Sequence, residues 1–177
     1  VKNRENARDN SIIDTARGIG KRIETNKSDA EDSYVTSKNI SSFTSTGFTL
    51  GQDEGHDEFN ANGDDYSSWN FKKQKGFFTM AQWTGNGADG RAISHDLGCI
   101  PGMIIVKALS DSSPWTVYHR GIGATKYLYL NDSQGEATDE WWADTTPTAS
   151  NFYVQGSRTN ANTTTYVAYV FAGGEST

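Results

Sequence analysis

A chain of 177 residues suits one domain, or two small ones of about 100 residues each. Only 34% of it is hydrophobic while 12% is aromatic, so Trp, Tyr and Phe must supply much of any core. A net charge of −6 and one short basic run, Lys72-Lys73-Gln74-Lys75, exclude a nucleic-acid surface, and no run of about 18 apolar residues exists to insert in a membrane.

The 18 glycines, set among many Ser, Thr, Asn and Asp residues, predict short strands joined by turns. The chain opens on Val1 rather than Met and carries no signal-peptide pattern, which reads as a cleaved product or a fragment. Residues 1–75 are poor in apolar side chains; Ile12-Ile13, Ile23, Phe43, Phe48 to Leu50 and Trp69 to Phe71 mark their candidate strands. Gly76 to Thr84 reads as a strand that stops at the glycine-rich turn Gly85 to Gly90. Ile100-Pro101-Gly102 then leads into Met103 to Lys107, an apolar run suited to a buried strand. Trp115 to His119 and Lys126 to Leu130 are further strands, and Glu136 to Ala143 is a helical turn or a loop. Phe152 to Val154 and Thr164 to Phe171 follow, the last with two largely apolar faces that predict a central position. Strands this short and frequent predict an all-β antiparallel sandwich.

The tetrapeptide Arg-Gly-Ile-Gly occurs at 17–20 and again at 120–123. Outward from it, Val1-Lys2 matches Val106-Lys107, allowing a two-residue difference before the turn. Asn26-Lys27-Ser28 matches Asn131-Asp132-Ser133, and Glu31 falls near Glu136. Phe48 to Gly51 matches Phe152 to Gly156, and Tyr66 to Phe71 matches Tyr166 to Phe171 in its aromatic positions. Landmarks kept in one order predict two tandem copies with a period of about 100 residues. The first copy, 1–75, is diverged and truncated, and the second, 76–177, is complete. Ahead of Val1 there is no counterpart of Pro101 to Ile105, so a longer array or another chain is expected to complete the first sheet. A glycine turn copied with its neighbours is a strand connection rather than a phosphate loop, which needs a longer pattern between a strand and a helix.

No catalytic, cofactor or metal residue is assigned. The acidic stretch Gly51 to Asp65 (Asp53, Glu54, Asp57, Glu58, Asp64, Asp65) offers oxygen ligands of the kind calcium takes. It only half resembles an EF-hand loop, because Trp69 stands where the last carboxylate belongs; a solvated loop is expected. His56, His95 and His119 lack zinc spacing, and His119, with Ala16 as its first-copy counterpart, is expected to be a hydrogen-bonded strand residue. No Gly-x-Ser-x-Gly elbow places a nucleophile. Asp139 and Glu140, read as neighbours on a strand, point to opposite faces and cannot flank one bond. Trp83, Trp115, Trp141 and Trp142 are expected in cores or subunit interfaces, with sugar stacking the alternative. Cys99, the single cysteine, is expected to be a buried thiol. Four Asn-x-Ser/Thr sequons, at Asn26, Asn39, Asn131 and Asn162, carry little weight in so Asn-rich a chain.

The stretch Thr84 to Gly123 combines a Thr-Gly-Asn-Gly turn, His95-x-Leu97-Gly98-x-x-Pro101, the strand Ile104-Ile105-Val106-Lys107, Trp115-x-Val117-Tyr118 and a glycine turn; Phe171-x-Gly173-Gly174 closes the copy. This set resembles a repeated domain of uncharacterised function in virion structural proteins of marine tailed phages, cyanophages and their relatives. Trp83 replaces that pattern's first Tyr. The resemblance covers 76–177 well and 1–75 as a diverged copy, and it carries over no catalytic residue. It implies a non-enzymatic virion surface component: capsid decoration, capsid fibre or tail-fibre module. Such a protein would assemble with identical chains, as a trimer or another homo-oligomer, and with other capsid or tail proteins. A host-glycan adhesin is the alternative, and an envelope-degrading enzyme ranks third.

Overall fold

A computed structural model describes residues 1–34, 39–51 and 59–174. The chain divides into two compact units, Val1–Asn70 and Phe71–Thr177.

In the first unit the strands are β1 (Lys2–Asn3), β2 (Ser11–Ile12), β3 (Lys21–Glu24), β4 (Asp32–Ser33), β5 (Ile40–Phe43), β6 (Phe48–Leu50) and β7 (Tyr66–Ser67). They are short because Gly, Asn, Asp and Ser punctuate every few residues and leave no room for long apolar alternation. β2, β3 and β4 form an antiparallel meander, β5 and β6 a hairpin, and β1 pairs antiparallel with β7. Val1 and Ser11 exchange two backbone bonds at 2.7 and 3.0 Å, which ties the start of the chain to β2. Ile23, Ile40 and Phe59 are its buried large apolar residues among those described. Polar side chains make up the difference. Arg17, 1% exposed, bonds Asp14 at 2.6 Å and the Ile12 carbonyl at 2.9 Å, and reaches Glu31 at 3.4 Å. Asn3, wholly buried, donates to Asp64 and Tyr66 and accepts from the Glu5 and Asn6 amides.

Unit two contains β8 (Phe78–Thr84), β9 (Arg91–Ser94), β10 (Pro101–Ala108), β11 (Thr116–His119), β12 (Lys126–Tyr129), β13 (Ala137–Thr138), β14 (Asn151–Val154) and β15 (Thr165–Ala172). Six of them form one antiparallel sheet in the order β13-β12-β11-β10-β15-β8, and β14 pairs with β9 in a second. The core follows from period-two alternation. Ile104, Val106 and Ala108 of β10 and Tyr166, Ala168 and Val170 of β15 cluster with Ile93, Phe152 and Val154 of the small sheet. This is the sandwich that the strand pattern predicts. β15 lies between β10 and β8, and its run from Tyr166 to Val170 is buried on both faces, so its central position also matches the sequence reading.

Two local features differ from expectation. β9, Arg-Ala-Ile-Ser, carries a single large apolar residue, Ile93, too weak a pattern to announce a strand; pairing with Phe152 and its neighbours makes it one. Asp139 and Glu140 do not share a strand: Asp139 caps a 3-10 turn, Glu140–Trp142, by accepting from the Glu140 amide at 2.8 Å. Local capping chemistry prevails there over the strand reading.

Candidate functional site: an exposed aromatic edge

Three of the five tryptophans serve the second unit's interior. Trp83 stacks on Tyr166 at 5.2 Å, meets Phe152 edge-on, and donates its Nε1–H to the Thr159 carbonyl at 3.0 Å. Trp115 stacks on Tyr169 at 6.3 Å with no exposure, and Trp142 meets Tyr118 edge-on at 5.8 Å. Trp141 is half-buried against Tyr127. Only Trp69, in the first unit, lies mostly in solvent, at 73% exposure.

The aromatic surface that the second unit presents is built from phenylalanine instead. Phe78 and Phe171 are register partners on β8 and β15, with ring centroids 4.9 Å apart. Phe71 packs on both at 5.7 Å, and Phe77 lies 6.4 Å from Phe78. Phe71 and Phe77 remain 54% and 47% exposed. Of the residues that hold them, Phe78 is buried and stacks on Tyr169. A polar clasp closes the same end of β8, where Lys73 Nζ meets Asp96 Oδ2 at 2.7 Å and the Thr79 hydroxyl donates to Asp96 Oδ1. Lys73 and then Thr79 hold the Asp96 carboxyl below its ordinary range. The arrangement offers apolar and stacking contact beside a small charge pair.

The two described histidines, His95 and His119, are spent on local structure. His95 Nδ1 accepts from the Leu97 amide at 3.3 Å, Nε2 lies 3.2 Å from the Thr148 carbonyl, and the ring stacks on Phe152. Burial pushes its pKa down, against the smaller upward pull of the Thr148 carbonyl and Asp96. His119 Nδ1 accepts from the Gly121 amide at 3.2 Å. Of the acidic stretch, Asp53, Glu54, Asp57 and Glu58, together with His56, lie outside the described residues. Asp64 accepts from Asn3 and Asn6, both at 2.7 Å, so it serves as a structural acceptor. Among the described residues no group of three or more His, Cys, Asp or Glu is placed to hold a metal ion. Cys99 is half-buried at the edge of the core rather than fully buried. Asn26 and Asn131, read as sequons, instead accept backbone amides with their side chains.

Sequence reasoning passed over Phe71 and Phe77 as part of a strand and its lead-in. Phe77 stands just before β8 and Phe71 outside any strand, so no strand alternation marks either ring as exposed. A family model described as a domain of unknown function (DUF7483) matches residues 1–176. No curated protein and no solved structure matches the chain.

Proposed function

The chain belongs to the DUF7483 family, a domain of unknown function, and we propose that it is a structural component of a phage virion surface, built from two copies of one module and acting by self-assembly. The virion reading rests on the resemblance of Thr84–Gly123. One observation carries the assembly reading: Trp83, Trp115 and Trp142 are consumed by the core, while Phe71 and Phe77, packed on Phe78, are left half in solvent. Apolar rings held fixed in solvent suit contact with another protein surface.

Matched hydrogen bonds support the two-copy reading, and they do so without a gap at 105 positions. The Asn10 amide donates to the Asn26 side chain and the Trp115 amide to the Asn131 side chain, both at 2.9 Å. Thr25 N–H reaches the Asn10 carbonyl as Leu130 N–H reaches that of Trp115. Lys21 and Arg22 pair with Ser33 and Asp32 as Lys126 and Tyr127 pair with Thr138 and Ala137. Farther along, the Ala61 and Ala161 amides each donate to a tyrosine hydroxyl, of Tyr66 and Tyr166, at 2.9 Å. The Arg-Gly-Ile-Gly landmark itself is out of step by two residues. Gly18 corresponds to Gly123: both have positive φ, 92° and 81°, and each donates to the carbonyl four residues back, of Asp14 and His119. His119 therefore answers to Asp14 rather than Ala16, and each accepts the amide two residues on. The positive φ shared by Gly18 and Gly123 favours glycine at that position in both turns, while Gly20 meets a separate positive φ in the first alone.

Reconstruction of the intact particle tests the reading: density for this chain in symmetric copies on the outer surface is expected, and its absence from the particle overturns it. The exposed Trp69 favours one second reading, host-glycan binding. That reading requires glycan-array binding that Trp69→Ala abolishes.

A further inference from the structure

In the second unit β15 is covered by β8, in the register Tyr166–Trp83, Ala168–Ala81, Tyr169–Met80 and Val170–Thr79. The chain leaves β8 through Gly85-Asn86-Gly87, which wraps the turn Asn160-Ala161-Asn162. Gly85 donates to the Thr164 carbonyl at 2.7 Å and accepts from Thr163 at 3.0 Å, and Gly87 donates to Asn160 at 2.9 Å. The buried Asn160 side chain donates to Asn86 and to the Ala88 carbonyl. The fit is close: a Cβ on Gly85 would stand 1.9 Å from the Ala161 carbonyl oxygen.

The first unit carries a matching turn, in which the Asn60 side chain donates instead to the Gly51 carbonyl at 2.9 Å. Asn60-Ala61-Asn62 stands 100 positions before Asn160-Ala161-Asn162, with the same amide-to-tyrosine bond and the same tight backbone bond, Asp64 to Ala61 there and Thr164 to Ala161 here. Gly63 takes the positive φ that Thr163 takes. Among the described residues β7 has one strand neighbour, β1. Asn60, Ser68, Trp69 and Asn70 are exposed, where Asn160, Ala168, Tyr169 and Val170 are buried.

We infer that the edge from Asn60 to Asn70 is an acceptor for an extended strand that ends in a Gly-x-Gly turn. Its occupant is a polypeptide of the kind this chain carries at Phe78–Arg91. The incoming strand runs antiparallel to β7, sets an aromatic residue opposite Tyr66 and a flexible apolar one opposite Trp69, and folds its glycine turn over Asn60. The occupant is fixed by the complement that the second unit already holds on the equivalent edge. This inference rests on the two-copy reading and not on the virion reading.

The test adds a peptide of sequence Phe77–Arg91 to the full chain. Saturable binding is expected, with slowed exchange of the Gly63 and Ser67–Asn70 amides and with Trp69 shielded from a soluble quencher. A Gly85→Val change in the peptide is expected to weaken binding at least tenfold. A second arm tethers a copy of residues 77–105 ahead of Val1, which reproduces the spacing of the second unit, and expects the same protection together with a raised first unfolding transition. If neither peptide nor tethered copy protects those amides, or if protection changes only in β15, the inference is overturned. The two-copy reading is scored separately, by whether the Thr25 and Leu130 amides are protected alike.

Discussion

At the scale of single residues, three positions have roles that can be measured. His95 uses both ring nitrogens while neutral, and protonating Nδ1 removes the acceptor for the Leu97 amide. Its folded pKa lies below the ordinary value near 6.5, so its contribution to stability is present above that value and is lost as pH falls through it toward the folded value. Denaturation midpoints are expected to drop over that window, and His95→Gln is expected to flatten the drop. Gly85 has no room for a side chain against Ala161, and Gly85→Ala is expected to cost at least about 3 kcal/mol in urea unfolding of the second unit. Arg17 was legible only as part of a glycine motif. Its burial among Asp14, Glu31 and the Ile12 carbonyl makes it the polar centre of the first unit, whereas Arg120 is exposed.

At the scale of elements, the β11–β12 hairpin is held at its open end by the Asn131 side chain on the Trp115 amide and by the Leu130 amide on the Trp115 carbonyl. Removing the side-chain acceptor leaves a donor next to a fully buried tryptophan. Asn131→Ala is therefore expected to cost about 1–2 kcal/mol, and Asn26→Ala, whose bond to the Asn10 amide is open to water, less; paired unfolding curves check both. β10 and β15 were readable from sequence because continuous apolar runs have few alternatives to a buried strand. β9 and the 3-10 turn at Glu140 were not, since one depends on a partner strand and the other on a single capping carboxylate.

For the whole molecule, the contrast between units predicts the order of unfolding. The second unit has a continuous core around Trp83, Tyr166, Phe152 and Trp142; the first has few buried apolar residues and relies on Arg17 and Asn3. Calorimetry is expected to show two transitions, with the lower assigned to the first unit. Arg17→Ala should lower that one by the cost of breaking a buried ion pair, about 3 kcal/mol, and leave the upper one in place. Assembly is tested on the other unit. Phe71→Ser with Phe77→Ser is expected to keep the fold, because both rings are half in solvent, and to shift sedimentation toward the monomer.

The all-β class, the central strand and the aromatic core were determined by sequence alone, since alternation, glycine turns and scarce aliphatic residues permit little else. Which aromatic rings lie inside and which outside was decided by tertiary structure. Trp83 and Phe77 are equally apolar in the sequence, but the register of β8 against β15 sets Trp83 on Tyr166, whereas Phe77 stands just before β8 and remains exposed. Register is a relation between distant segments, and no local pattern encodes it. Gly18 and Gly123 share a positive φ and an amide bond to the carbonyl four residues back, a local likeness that the letters around them do not show.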